Sequence, residues 1–123
     1  MTSPLRLNHG QLNTDAPVMV ATTTGSRDEA QQIAAALVER RLAACVQVGG
    51  PITSTYRWQG KVETGEEWVC TAKTLYYRYA AVEQTIRELH SYDEPEILVT
   101  TIEAGSKGYL RWLAAEVRSK PAN

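Results

Sequence analysis

Between His90 and Glu96 the chain reads HSYDEPE, an imidazole, a phenol and three carboxylates in seven residues. Imidazole titrates near neutral pH and suits acid–base work; with carboxylates it also suits zinc, copper or nickel. The spacing argues against a closed metal site. There is no HxxxH and no CxxC, and the second histidine is the distant His9, whereas a structural site takes about four ligands. Further donors would have to come from distant segments or a neighbouring copy. A lone loop histidine is more often a hydrogen-bonded structural residue.

The stretch from Ala43 to Thr74 carries the other polar groups. Strand alternation puts Glu67, Val69, Thr71 and Lys73 on one side, and Glu66, Trp68, Cys70 and Ala72 on the other. Tyr56 and Trp58 share a face of the preceding strand. A half-buried Glu67–Lys73 pair would hold both groups charged and could grip the ends of a polar ligand. The plainer reading is a solvated ion pair worth well under about 1 kcal/mol. Cys45 and Cys70 fall on strands and read as small buried hydrophobes, since a nucleophilic thiol needs a base and an electropositive setting. Glycine-rich phosphate loops and the usual hydrolase signatures are absent.

The elements that must position these groups follow from periodicity. Val18 to Thr23 reads as a buried strand, and Ser26 to Glu29 as a capping box. It opens a helix with Ala30, Ile33, Ala34, Leu37 and Val38 on one face. A strand from Ala44 meets a bulge or bend at Gly49-Gly50-Pro51 and resumes from Ile52 to Trp58. Gln59-Gly60 turns it back into a strand from Lys61 to Thr74, interrupted or bulged near Gly65. Thr74 to His90 reads as a helix capped by Thr74, Ile97 to Glu103 as a strand, and the segment after Gly105-Ser106 as a last helix. This is α+β: a ferredoxin-like βαββαβ subunit with a long β-hairpin arm and an extra C-terminal helix. Two helices cover one sheet face; the other would be buried in a homo-oligomer, with cyclic symmetry the default.

Residues 1–16 are polar and aperiodic and read as a mobile tail before a single domain over 17–120. Net charge is formally -1, so no basic field invites nucleic acid or an anionic membrane. Apolar runs fall far short of the ~20 residues of a membrane span, and the start lacks a secretory apolar core. Two cysteines make a disulfide framework improbable and favour the cytoplasm.

RRLAACVQVG, YRWQGKVETGEEWVCTAKT and LHSYDEPEILVTTIEAGSKGYLRWL, in this order and spacing, resemble the CutA family of divalent-cation tolerance proteins over roughly Val18 to Val117. The resemblance implies a tight homotrimer with arm strands pairing between subunits. It also implies a part in tolerance or response to divalent metals, copper especially, without catalytic turnover. No cofactor is obligatory; copper or another divalent cation is the implied ligand. Carried over by position, an inter-subunit ligand pocket would involve Tyr56, Trp58, Glu63, Glu67, Lys73, Tyr92 and Glu96, with His90 as the metal ligand. Copper contacts proposed in some members fall on a first-strand cysteine, here Thr22, and on a histidine pair, here Leu89-His90. Ser91 replaces the usual proline, so His90 is the one such ligand retained. The implied trimer is similar in architecture to nitrogen-regulatory PII-type proteins, which makes a small-molecule sensor the alternative.

Overall fold

The computed structural model describes residues 14–118. The tail read over 1–16 therefore lies almost wholly outside the described residues, and His9 with it. β1 (Pro17–Thr24) turns Val18, Val20, Thr22 and Thr24 inward. α1 (Arg27–Glu39) starts where the Ser26 hydroxyl accepts from the Glu29 amide at 3.2 Å, and it buries Ala30, Ile33 and Leu37. β2 (Cys45–Trp58) and β3 (Lys61–Leu75) form the arm. Gln59 and Gly60 both have positive φ, 51° and 80°, as a two-residue hairpin turn of type I′ requires.

The irregularity of the arm sits on β2 alone, between Gly49 and Ile52. Gly50 has φ 146°, and a Cβ there would lie 2.7 Å from Cδ1 of Trp68. The expected interruption near Gly65 does not occur: Gly65 pairs with Ser54 in unbroken register. Gly65 keeps the backbone donor that Pro51 lacks, so the disturbance stays with the Gly50-Pro51 strand.

Thr74 is a strand residue rather than a helix cap. β3 continues through it to Leu75, and the buried Thr74 hydroxyl donates to the Leu42 carbonyl at 2.7 Å. A 3₁₀ turn at Tyr76–Arg78 then leads into α2 (Tyr79–Leu89). Pairing of Thr74 with Val18 and of Leu75 with Pro17 outweighs the helical periodicity that begins there. β4 (Ile97–Thr101) is shorter than expected, and α3 (Lys107–Val117) closes the described chain.

The sheet order is β2-β3-β1-β4, all antiparallel, which is the ferredoxin-like arrangement. α1 and α2 cover one face, where Ile33, Leu37, Val82 and Ile86 meet Val18, Val20, Cys70 and Ala72. α3 packs Leu113 and Val117 on Leu75, and Tyr109 of α3 lies 5.6 Å from the Lys73 amine. It thus lies against the other face at one end, which is less open than helix counting suggested. Arg41 donates to the Glu116 carbonyl, and Tyr77 and Arg78 donate to that of Val117, satisfying the end of α3. Leu98 on the same open face remains 59% exposed. Thr24–Trp68 is the outermost pair that β1 makes with β3, so from Glu67 outward the arm strands pair only with each other.

Leu37 is fully buried between α1 and the sheet. Leu37→Ala should lower unfolding free energy by about 2–5 kcal/mol. Urea denaturation at neutral pH checks this; an unchanged midpoint would remove Leu37 from the core.

Candidate functional site

α2 ends at His90, whose backbone turns to an extended conformation and carries the ring back beneath the sheet end. Its side chain is 0% exposed. Nε2 lies 2.8 Å from the Thr23 carbonyl oxygen, and Nδ1 accepts from the Tyr92 amide at 3.1 Å. A carbonyl only accepts, so Nε2 carries the proton and Nδ1 the lone pair: the neutral tautomer satisfies both contacts.

Glu29 supplies the neighbouring carboxylate. The capping-box reading gave it a return bond to its own helix start. Instead its Oε2 accepts from the Ser91 amide at 3.2 Å and lies 3.4 Å from Nδ1 of His90. Two successive loop amides, Ser91 and Tyr92, are therefore held by a side chain each. The Tyr92 ring packs tilted against His90, centroids 4.8 Å apart, and its hydroxyl donates to Glu67 at 3.0 Å. The loop approaches closely over Gly25, where a Cβ would stand 3.3 Å from the Tyr92 oxygen.

These contacts bring three segments to the root of the arm: the β1–α1 junction, the loop after α2, and β3. Of the residues expected in a pocket, one chain gathers His90, Tyr92 and Glu67, and Tyr56 stands beside them with its hydroxyl over Gly65. Glu63 lies opposite Tyr56 in the ladder, while Trp58 is at the arm tip and 61% exposed. Glu96 is exposed just before β4; Glu29, not Glu96, is the carboxylate at the imidazole. Lys73 is remote. It lies six strand positions from Glu67, about 20 Å, and its amine lies over Tyr109. The intrachain Glu67–Lys73 pair therefore does not form. Glu29 was the missed member, concealed by a capping signature that explained it locally.

The family model for the CutA1 divalent ion tolerance protein matches residues 18–116, which takes in every element of the fold and every residue of this cluster. The chain belongs to the CutA family. A divalent-cation tolerance protein CutA of Thermus thermophilus is 41% identical over 95 residues, 77% of this chain and 92% of its own. Among solved structures, CutA of Xylella fastidiosa superposes with a TM-score of 0.81 at 34% identity, covering 84% of this chain and 99% of the other. CutA of Archaeoglobus fulgidus, described as a periplasmic divalent cation tolerance protein, superposes with a TM-score of 0.80 at 36% identity, covering 83% and 99%. No helix among the described residues is long and apolar enough to cross a membrane.

A CutA chain raises the question of a cation at His90, and the ring as folded offers none of its nitrogens. A metal there would have to displace either the Thr23 carbonyl or the Tyr92 amide. Thr22, at the position of the first-strand cysteine, is buried in the core with no hydrogen-bond partner for its hydroxyl among the described residues. Nor do three His, Cys, Asp or Glu side chains converge in a metal-holding group among the described residues of one chain. The groups that face outward at the root of the arm are oxygen donors, Glu67 and Tyr92.

Burial, then the bond to Glu67 and its charge, pushes the Tyr92 phenol up to about 12 from 10.0. Burial alone pushes the Cys70 thiol to about 11 from 9.0, and it is the leading cause that takes Tyr79 to about 12. Groups with raised folded-state pKa values contribute stability below their unfolded pKa and lose it as pH rises through the folded value. Stability should hold to about pH 9 and fall from there towards about 12. Tyr92→Phe should make the fall above about pH 10 shallower. Urea midpoints for both proteins across this range check it; identical curves would mean that the Tyr92 phenol is not held by Glu67.

Proposed function

We propose that this CutA-family chain serves divalent-cation tolerance by binding rather than turnover, as a cyclic homotrimer with its ligand cleft between copies. The observation that carries the reading is the Tyr92–Glu67 contact at the root of an arm that its own sheet leaves uncovered. Tyr56, Trp58 and Val62 are exposed along that arm, and Leu98 on the open sheet face. Apolar side chains and unpaired strand edges of this extent favour burial against further copies. Apposed copies would bring Trp58, Glu63, Lys73 and Glu96, scattered in one chain, towards a shared cleft.

With Glu67 and Tyr92 added, the groups there able to ligate a metal are oxygen donors, Glu63, Glu67, Tyr92 and Glu96, which suits hard divalent cations better than copper, whose sites favour imidazole and sulfur. Absence of turnover is supported by the state of the two groups that would otherwise do chemistry. Cys70 is buried with its thiol pushed up to about 11, and His90 has both nitrogens engaged. Both cysteines are free, which suits a reducing compartment such as the cytoplasm. The comparisons carry the divalent-cation name and do not favour the small-molecule sensor.

Sedimentation of the full chain at micromolar concentration should give three times the 13.6 kDa chain mass; a monomer rejects the assembly. Calorimetric titration with manganese, zinc and copper should show binding that Glu67→Gln weakens by at least about tenfold, about 1.4 kcal/mol. Equal heats for both proteins would exclude Glu67 from the site.

A further inference from the structure

His90 is the residue whose chemistry most invites a ligand, and its surroundings use that chemistry for something else. The ring is closed off from solvent, at 0% side-chain exposure. Every polar edge of it is engaged: Nε2 at 2.8 Å on the Thr23 carbonyl, Nδ1 at 3.1 Å from the Tyr92 amide, and one face against the Tyr92 ring. Those three contacts join the end of β1 to the loop after α2. Glu29, which lies 3.4 Å from Nδ1, holds the adjacent Ser91 amide from the first turn of α1.

We infer that His90 is a positioning residue and not a cation ligand: a neutral imidazole, protonated at Nε2, that sets the Tyr92 phenol on the Glu67 carboxylate. The geometry makes the order of dependence clear. Tyr92 is itself 40% exposed, and the packing that fixes its direction comes from the His90 ring and the close approach over Gly25. Its backbone is fixed by the bond to Nδ1, its ring by the imidazole face, and its hydroxyl then reaches Glu67 over a glycine that leaves room for it. A metal on Nδ1 would free the Tyr92 amide. A metal on Nε2 would require the ring to deprotonate there and would turn it from the Thr23 carbonyl, leaving a buried acceptor unmatched. Either event dismantles the contact that shapes the outer groups of the site. This inference concerns how the site is held, so it stands or falls separately from whether the trimer binds a cation.

Nitrogen-15 NMR of the labelled full chain in its native assembly tests it directly. The expected spectrum shows His90 as the neutral tautomer protonated at Nε2, with a scalar coupling across the Tyr92 amide to Nδ1. Addition of one equivalent of zinc should leave both His90 nitrogen signals in place. A proton on Nδ1, or a zinc-dependent shift of either nitrogen that saturates at one equivalent, overturns the inference. Variants supply the second reading. His90→Asn keeps an oxygen acceptor near the position of Nδ1, and His90→Leu removes it. Hydrogen exchange at the Tyr92 amide should be faster in the leucine variant than in the asparagine variant by about tenfold, the range of one buried hydrogen bond. Equal exchange in the two overturns the positioning role. Calorimetric heats that persist while His90 stays unshifted leave this inference and the cation reading both standing. No heats from any cation with the same unshifted His90 would reject the cation reading alone.

Discussion

Backbone pairing along β3 constrains nearly everything else. Fifteen residues run in one strand from Lys61 to Leu75, paired to β2 along almost their whole length and to β1 only from Trp68 onward. Alternation then dictates the rest. Cys70, Ala72 and Thr74 are driven under the helices, and Glu67, Val69, Thr71 and Lys73 to the other side. Where β1 stops, β3 continues without a second partner, and that is where the arm begins. The polar cluster sits at this boundary because it is the point at which a sheet with a core becomes a ribbon without one.

That position explains the character of the site. On its inner side it borrows rigidity: the Thr23 carbonyl belongs to a central strand, and Glu29 to the first turn of a capped helix. On its outer side it presents Tyr92 and Glu67 to space its own chain does not fill. A fully enclosed imidazole links the two sides. Buried polar groups are stable only when each donor and acceptor is matched, and here a backbone carbonyl and a backbone amide match the two ring nitrogens in one protonation state. The cost of such matching is that the ring has nothing left to offer a ligand.

The family relationship and the geometry meet at different levels. Belonging to the CutA family connects the chain to proteins named for divalent-cation tolerance. The side chains of this chain say how the Tyr92–Glu67 contact is held, and they assign His90, its most suggestive residue, to architecture. Lys73, six strand positions from Glu67, lies instead over Tyr109 of the same chain.

The fold was legible in the residues themselves. Helix and strand periods are local properties, as are the Ser26 cap, the Gly49-Gly50-Pro51 bulge and the Gln59-Gly60 turn. Two boundaries misled for a physical reason: Thr74-Leu75 has helical neighbours, yet Leu75 pairs with Pro17 and Thr74 with Val18, 58 and 56 positions away in the chain. The site was half legible. His90, Tyr92 and Glu67 are chemically conspicuous, but what each does depends on partners remote in sequence. Glu29 meets Ser91 across 62 residues, His90 meets Thr23 across 67, and Tyr92 meets Glu67 across 25. Sequence alone determined which groups could act and the elements that carry them, because residue type and period are written locally. Tertiary structure alone decided that the Glu29 carboxylate reaches the loop while its amide stays in the cap, and that the imidazole is enclosed, because hydrogen-bond partners are chosen by proximity in space.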